Sequence, residues 1–177
     1  RAAVVQQDLL PGFLGRFFGA VIAAVIATLV VGSPLLPIVV SCVVLVAVAL
    51  NLVGLSFDIT PRTLFIAGTA GGVMGTLPGV GAAPMAILYS RIETRRSAAS
   101  QNTFFGFGMI VSILALGTAG LIQRPHWGLA VSLVPIAVMG FLSARPLAGR
   151  VERKSIRPWA LGLATISALV LLVRSGL

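Results

Sequence analysis

Acidic residues are nearly missing from this 177-residue chain: Asp8, Asp58, Glu93 and Glu152 stand against 13 lysines and arginines. There is one histidine, His126, and one cysteine, Cys42. Each scarcity excludes something. A metal centre needs several clustered ligands, so none is expected. No serine has a histidine and carboxylate to activate it, so hydrolase chemistry has no support and the chain does not read as an enzyme. No cofactor is expected. A lone cysteine forms no internal disulfide, and Cys42, inside an apolar run, reads as a small buried hydrophobe. Proton relays in membranes usually use an intramembrane carboxylate or histidine. All four acids lie at expected interfaces or in loops. A coupled proton would therefore ride on Asp58, on a region outside this sequence, or on the solute itself.

Charge is scarce as a whole, at 10% of residues against about 25% in soluble domains. Hydrophobic residues make up 58%, and the mean hydropathy is +1.07. A soluble fold of this size could not hide that much apolar surface, so lipid is the solvent for much of it. The net charge of +9 could suggest a nucleic-acid binder, but no basic surface interleaved with aromatics exists. The basic residues lie in or near the gaps between apolar runs, the pattern of a multi-pass membrane protein. No signal peptide is visible. The chain begins at Arg1 rather than methionine, which reads as a fragment lacking an N-terminal portion.

Six apolar segments are expected, at 13–32, 35–57, 62–89, 104–122, 127–144 and 159–173. None alternates polar and apolar residues, so the fold class is all-α, a polytopic transmembrane helical bundle. Trp127 and Trp159 sit where interfacial anchors belong. Arg91, Arg95 and Arg96 follow the third segment, and Arg145, Arg150, Arg153, Lys154 and Arg157 follow the fifth. These gaps, 91–103 and 145–157, are expected to be cytoplasmic loops. If the third segment crosses once, eight basic residues lie inside and five outside. If it enters and returns on one side, the balance is eleven to two, with Arg1, Arg16 and Arg62 now inside. The second arrangement, a re-entrant hairpin, fits the positive-inside rule better.

That third segment carries the chemistry. Residues 71–84 read Gly-Gly-Val-Met-Gly-Thr-Leu-Pro-Gly-Val-Gly-Ala-Ala-Pro. Pro78 and its neighbouring glycines interrupt a helix near its middle. Irregular backbone at membrane depth needs a protein interior or a wet cavity around it. Pro84 suits the first turn of a new helix, whose N-terminus then falls near Gly81 or Ala82. Free amides and the positive dipole end favour an anion there, as in the discontinuous helices of transporters. The candidate solute-binding residues are Thr76, Gly79, Val80, Gly81 and Ala82. Asn102 and Thr103 join them from the polar run that leads into the fourth segment. Gly68/Gly72, Gly71/Gly75 and Gly75/Gly79 have the spacing of close helix packing. Asn51 is expected to hydrogen-bond between helices, and His126 to sit at an interface.

The run 79–84, followed by Ile87, Leu88 and Tyr89, resembles the second-repeat hallmark of the sulfite exporter TauE/SafE family: a glycine-rich stretch followed closely by proline. The order of later features is similar to that family: a basic loop, a polar helix start, a phenylalanine-rich helix, Pro135, Gly140, a second basic loop and a last apolar helix. The likeness is close over 63–177. It implies that residues 1–61 are the last two helices of a first repeat. Residues 62–177 are then the second repeat, with a broken segment at 62–90 and helices at 104–122, 127–144 and 158–174. It also implies a bacterial inner-membrane permease moving sulfite, organosulfonates or similar small anions, usually outward. Ala82 and Ala83 stand where many relatives have glycine or proline, which puts the closest backbone approach in doubt. Expected partners are a small anion, the bilayer and the missing N-terminal repeat; homo-oligomer formation is left open. Two other readings stand beside it: a membrane subunit of a multi-component carboxylate uptake system, and a non-transporting scaffold.

Overall fold

The computed structural model of the chain describes residues 6–53, 57–89, 94–144 and 153–175. Among them there are seven helices and no strand: α1 Gln6–Val30, α2 Leu35–Val53, α3 Pro61–Thr76, α4 Ala82–Leu88, α5 Thr94–Thr118, α6 Arg124–Ala144 and α7 Arg153–Arg174. Four stretches are long and apolar enough to cross a membrane: Leu9–Val30, Leu35–Val53, Ser100–Thr118 and Arg124–Ala144. The apolar part of α7, Trp159–Arg174, is shorter. The all-helical bundle with one broken segment is therefore as expected.

Three boundaries differ from the sequence reading. Helix α1 starts before residue 13 and runs through Pro11, because Leu9 and Leu10 extend the apolar pattern and Leu9 is buried in the core. Helix α5 starts at Thr94, so residues 94–103 are its first turns rather than a loop. No glycine or proline interrupts that stretch, and Ala98, Ala99 and Gln101 favour helix. Likewise residues 153–157 belong to α7. Arg1, Arg91, Arg145, Arg150, Glu93 and Glu152 lie outside the described residues.

Helix α3 has a strong start. Pro61 is pre-set for the first turn, and Thr60 and Thr63 form a reciprocal capping box. The Thr63 amide donates to Thr60 Oγ1 at 3.1 Å and the Thr60 amide to Thr63 Oγ1 at 2.8 Å.

The tightest packing joins α1 to α3, and it is backbone against backbone. A Cβ added at Gly72 would lie 2.7 Å from both Arg16 O and Gly19 Cα; one at Gly68 would lie 3.1 Å from Arg16 N. Helices in lipid gain nothing from hiding apolar side chains from one another. Close van der Waals approach through small residues holds them instead. The Gly68/Gly72 pair does what its spacing predicts. Gly79 does not: a Cβ added there would meet nothing within 4 Å.

Around this contact, Leu9 of α1, Leu64 and Ala67 of α3, Met85, Leu88 and Tyr89 at α4, and Phe104 of α5 form one buried cluster. The rings of Phe13 and Phe104 stack within it, 6.2 Å apart and inclined by 9°. Helix α2 covers the far side, where Ala47 meets Met74 and Ala83, and α7 packs on α2. Helix α6 buries no residue. Cys42 is exposed on α2 rather than buried. Helix α2 is apolar on all sides, so its sequence gave no sign of which face turns inward.

Gly72→Ala is expected to cost about 1–3 kcal/mol through overpacking. Gly140→Ala, which faces open space on α6, is expected to be neutral or slightly stabilising. Thermal unfolding of the two variants in detergent checks the contrast.

Candidate functional site

Helix α3 stops at Thr76, with Leu77 as its C-cap. Pro78 cannot extend the helix, and Gly79 takes a left-handed φ of +77° that a side chain would strain. The Val80 amide donates back to Met74 O at 2.8 Å, closing the turn. Gly81 then caps α4 without a side-chain bond, and Pro84 is the third residue of that helix, where its missing N–H costs nothing. The new N-terminus lies at the predicted place. Helix α4 folds back beside α3, so Met85 and Leu88 meet Leu64 and Ala67.

The fold-back brings three glycines of one hairpin to one spot. A Cβ at Gly81 would lie 2.6 Å from Gly71 O and 2.8 Å from Gly75 Cα. The space that these absent side chains leave is filled from α1 by Arg16, which is only 3% exposed. Its Nη1 donates to the Gly71 carbonyl. Its Cζ lies 2.7 Å from where a Cβ of Gly75 would be, and equally 2.7 Å from that of Gly108 on α5. Phe104 presents its ring 5.7 Å from Cζ, within cation–π range. The guanidinium is thus held in a cradle of glycines from α3, α4 and α5, with one aromatic wall.

Its hydrogen bonding is incomplete. Nε is buried and has no acceptor. Arginine offers five N–H donors, and among the described residues no carboxylate pairs with it. Removing a cation from water costs several kcal/mol unless opposite charge or dipoles replace the water. One carbonyl and one ring are a partial replacement.

Beside the cradle is a buried hydroxyl pair. Thr76 Oγ1 and Ser112 Oγ are 2.7 Å apart. Thr76 follows Gly75 directly, and Ser112 lies one helical turn beyond Gly108 on the same face of α5.

Of the residues singled out from sequence, Gly81 lies in the cradle and Thr76 beside it. Gly79 is exposed at the turn, Val80 packs against the Ala47–Met74–Ala83 cluster, and Ala82 is exposed. Asn102 and Thr103 are exposed near the start of α5, while the neighbouring Phe104 turns inward. Those five are not among the residues around the guanidinium. Asn51 Nδ2 donates to Ala47 O on its own helix at 2.9 Å, and His126 Nδ1 accepts from the Gln123 amide at the start of α6 at 2.9 Å.

Arg16, Gly108 and Ser112 were missed. Arg16 had been counted only as a topological charge, yet it is the one ionisable residue inside the first apolar run. An intramembrane charge is by default a functional candidate, and that signal was available.

Gly108→Ala would drive a methyl group into the guanidinium, so it is expected to destabilise the protein by about 1–3 kcal/mol. Gly106→Ala, two residues away and facing open space, serves as its control. Unfolding midpoints of the pair in detergent read the difference.

A family model described as sulfite exporter TauE/SafE matches residues 1–171. No curated protein and no solved structure matches the chain.

Proposed function

This chain belongs to the sulfite exporter TauE/SafE family, a family of membrane permeases for sulfite-type anions, and we propose that it carries small oxyanions such as sulfite or organosulfonates outward across a bacterial inner membrane. The observation that carries this reading is Arg16: a buried cation on a membrane-crossing helix, lodged at a break between two helices, with no carboxylate among the described residues to neutralise it and its Nε without an acceptor. A permanent counter-ion would make the arginine a structural ion pair. Without one, the charge is left for a mobile anion to satisfy, which is what a carrier requires. The amide end of α4 adds its positive potential at the same place through Gly81.

In this reading the α3–α4 unit is a re-entrant hairpin. Helix α3 has 16 residues and α4 has 7, or about 24 and 10 Å at 1.5 Å per residue. Neither spans the roughly 30 Å hydrocarbon core, while a hairpin of that depth reaches its middle. The segments following Tyr89 and Ala144 then face the cytoplasm. The first repeat, with its own glycine-rich segment, would supply the other half of the solute path. A non-transporting scaffold has no use for an interrupted helix or an unneutralised buried charge, and both features favour transport over it.

Full-length protein in proteoliposomes is expected to give saturable flux of labelled sulfite and of a small sulfonate, well above that of a dicarboxylate of similar size. Flux no faster than in empty liposomes for every anion would overturn the proposal.

A further inference from the structure

The geometry points to Arg16 as the residue that selects the solute, acting through the Nε–Nη2 edge of its guanidinium together with the hydroxyls of Thr76 and Ser112. This rests on the transport reading above and assigns to it a coordination set.

The two edges of the guanidinium are not equivalent here. Nη1 is committed to the Gly71 carbonyl on α3. The other edge lies where α5 and α3 converge: a Cβ on Gly108 would abut Nε and lie 2.7 Å from Cζ and 2.8 Å from Nη2, one on Gly75 would abut Nη2, and Nε is buried without an acceptor. Nε and Nη2 form the planar fork that matches two oxygens of one oxyanion. Such an anion, seated between α1 and α5 at Gly108, would point a further oxygen along α5 toward Ser112, one turn away. The Ser112 and Thr76 hydroxyls now satisfy each other at 2.7 Å. Either can rotate its proton toward a third oxygen, since a hydroxyl both donates and accepts.

Gly108 has a double part. With no side chain, it lets α5 lie directly against the fork. The same bareness lets α5 withdraw without dragging a side chain through the cradle. An oxygen sits about 3 Å from a fork nitrogen and needs a similar contact distance to the Gly108 backbone, so seating it requires α5 to stand off from the fork by roughly twice that. The set prefers solutes with three oxygens on one centre. A halide cannot engage both fork nitrogens and the hydroxyls, and a carboxylate lacks the third oxygen.

The competing role is a mere bolt between α1 and α3, and the experiment separates the two. Arg16→Lys, Arg16→Gln and Ser112→Ala are made in the full-length protein. Two readings are taken with sulfite as the probe: KM and maximal rate in proteoliposomes, and the sulfite-induced rise in unfolding temperature in detergent. Lysine keeps the charge but loses the fork, so Arg16→Lys is expected to raise KM about tenfold to a hundredfold, the equivalent of losing a charge-assisted bond. Arg16→Gln is expected to abolish the sulfite-induced thermal shift. Ser112→Ala leaves the arginine in place and is expected to raise KM about threefold to tenfold with little change in maximal rate. Variants of Arg16 that are less stable but keep the wild-type KM and thermal shift would show a bolt only and overturn the assignment. If they fail to fold, an unchanged KM and thermal shift in Ser112→Ala overturns it alone. Wild-type protein that is stabilised by sulfite through Arg16 but moves none would remove the transport reading and leave the site. Wild-type flux with Arg16-independent KM and thermal shift would do the reverse.

Discussion

Helices α1 and α3 meet backbone against backbone at their glycines, and the rest of the arrangement depends on how close that lets them come. Glycines at 15, 19, 68 and 72 let the two backbones touch. In a lipid solvent such contact supplies much of what holds helices together. It also fixes where a side chain on α1 ends up. From a helix this close, the arginine at position 16 crosses α3 and reaches the hairpin turn beyond it. A bulkier interface would set its head group farther out, away from the carbonyl of Gly71.

The guanidinium in turn organises its neighbours. The glycines at 75, 81 and 108 are bare because the cation occupies the volume that their side chains would need. Phe104 closes one wall and links the charge to the aromatic cluster that binds α1, α4 and α5. The hydroxyl contact between Thr76 and Ser112 ties α3 to α5 one step away. Backbone packing, a buried cation and a polar clasp thus meet where α3 breaks. A soluble protein would hydrate such a charge. Here the dipoles of one carbonyl and one ring are a thin substitute, and in the proposed function that deficit is what an anion would fill.

Much of this was legible before any coordinates. The lack of alternation gave an all-helical bundle, and Pro78 with its glycines marked the break. Pro84 located the start of α4 at Gly81–Ala82, and the Gly68/Gly72 spacing foretold a close helix contact, though not that α1 makes it. Other features were hidden for physical reasons. Thirteen basic residues in a membrane protein invite a topological count, and Arg16 is absorbed into it although its place inside an apolar run sets it apart. Gly108 sits in a phenylalanine-rich stretch with nothing to suggest that a charge from a helix ninety residues earlier abuts it. Asn102 and Thr103 looked promising as the polar residues nearest an apolar boundary. Helix α5 begins at Thr94, however, and its inward face is set by Phe104, Gly108 and Ser112 at four-residue spacing, which leaves those two outside.

The exposure of Cys42 has a practical consequence. It is the sole thiol of the sequence, and it lines a shallow apolar groove with Val43 and Val46 of α2 and with Ala70, Val73 and Met74 of α3. A fluorophore or spin label attached there would ride on one wall of the groove and sense the other, the last turns of α3 just before the break. Within this sequence no second cysteine competes for the label, and Cys42 lies beside the helix that any opening of the cradle must disturb.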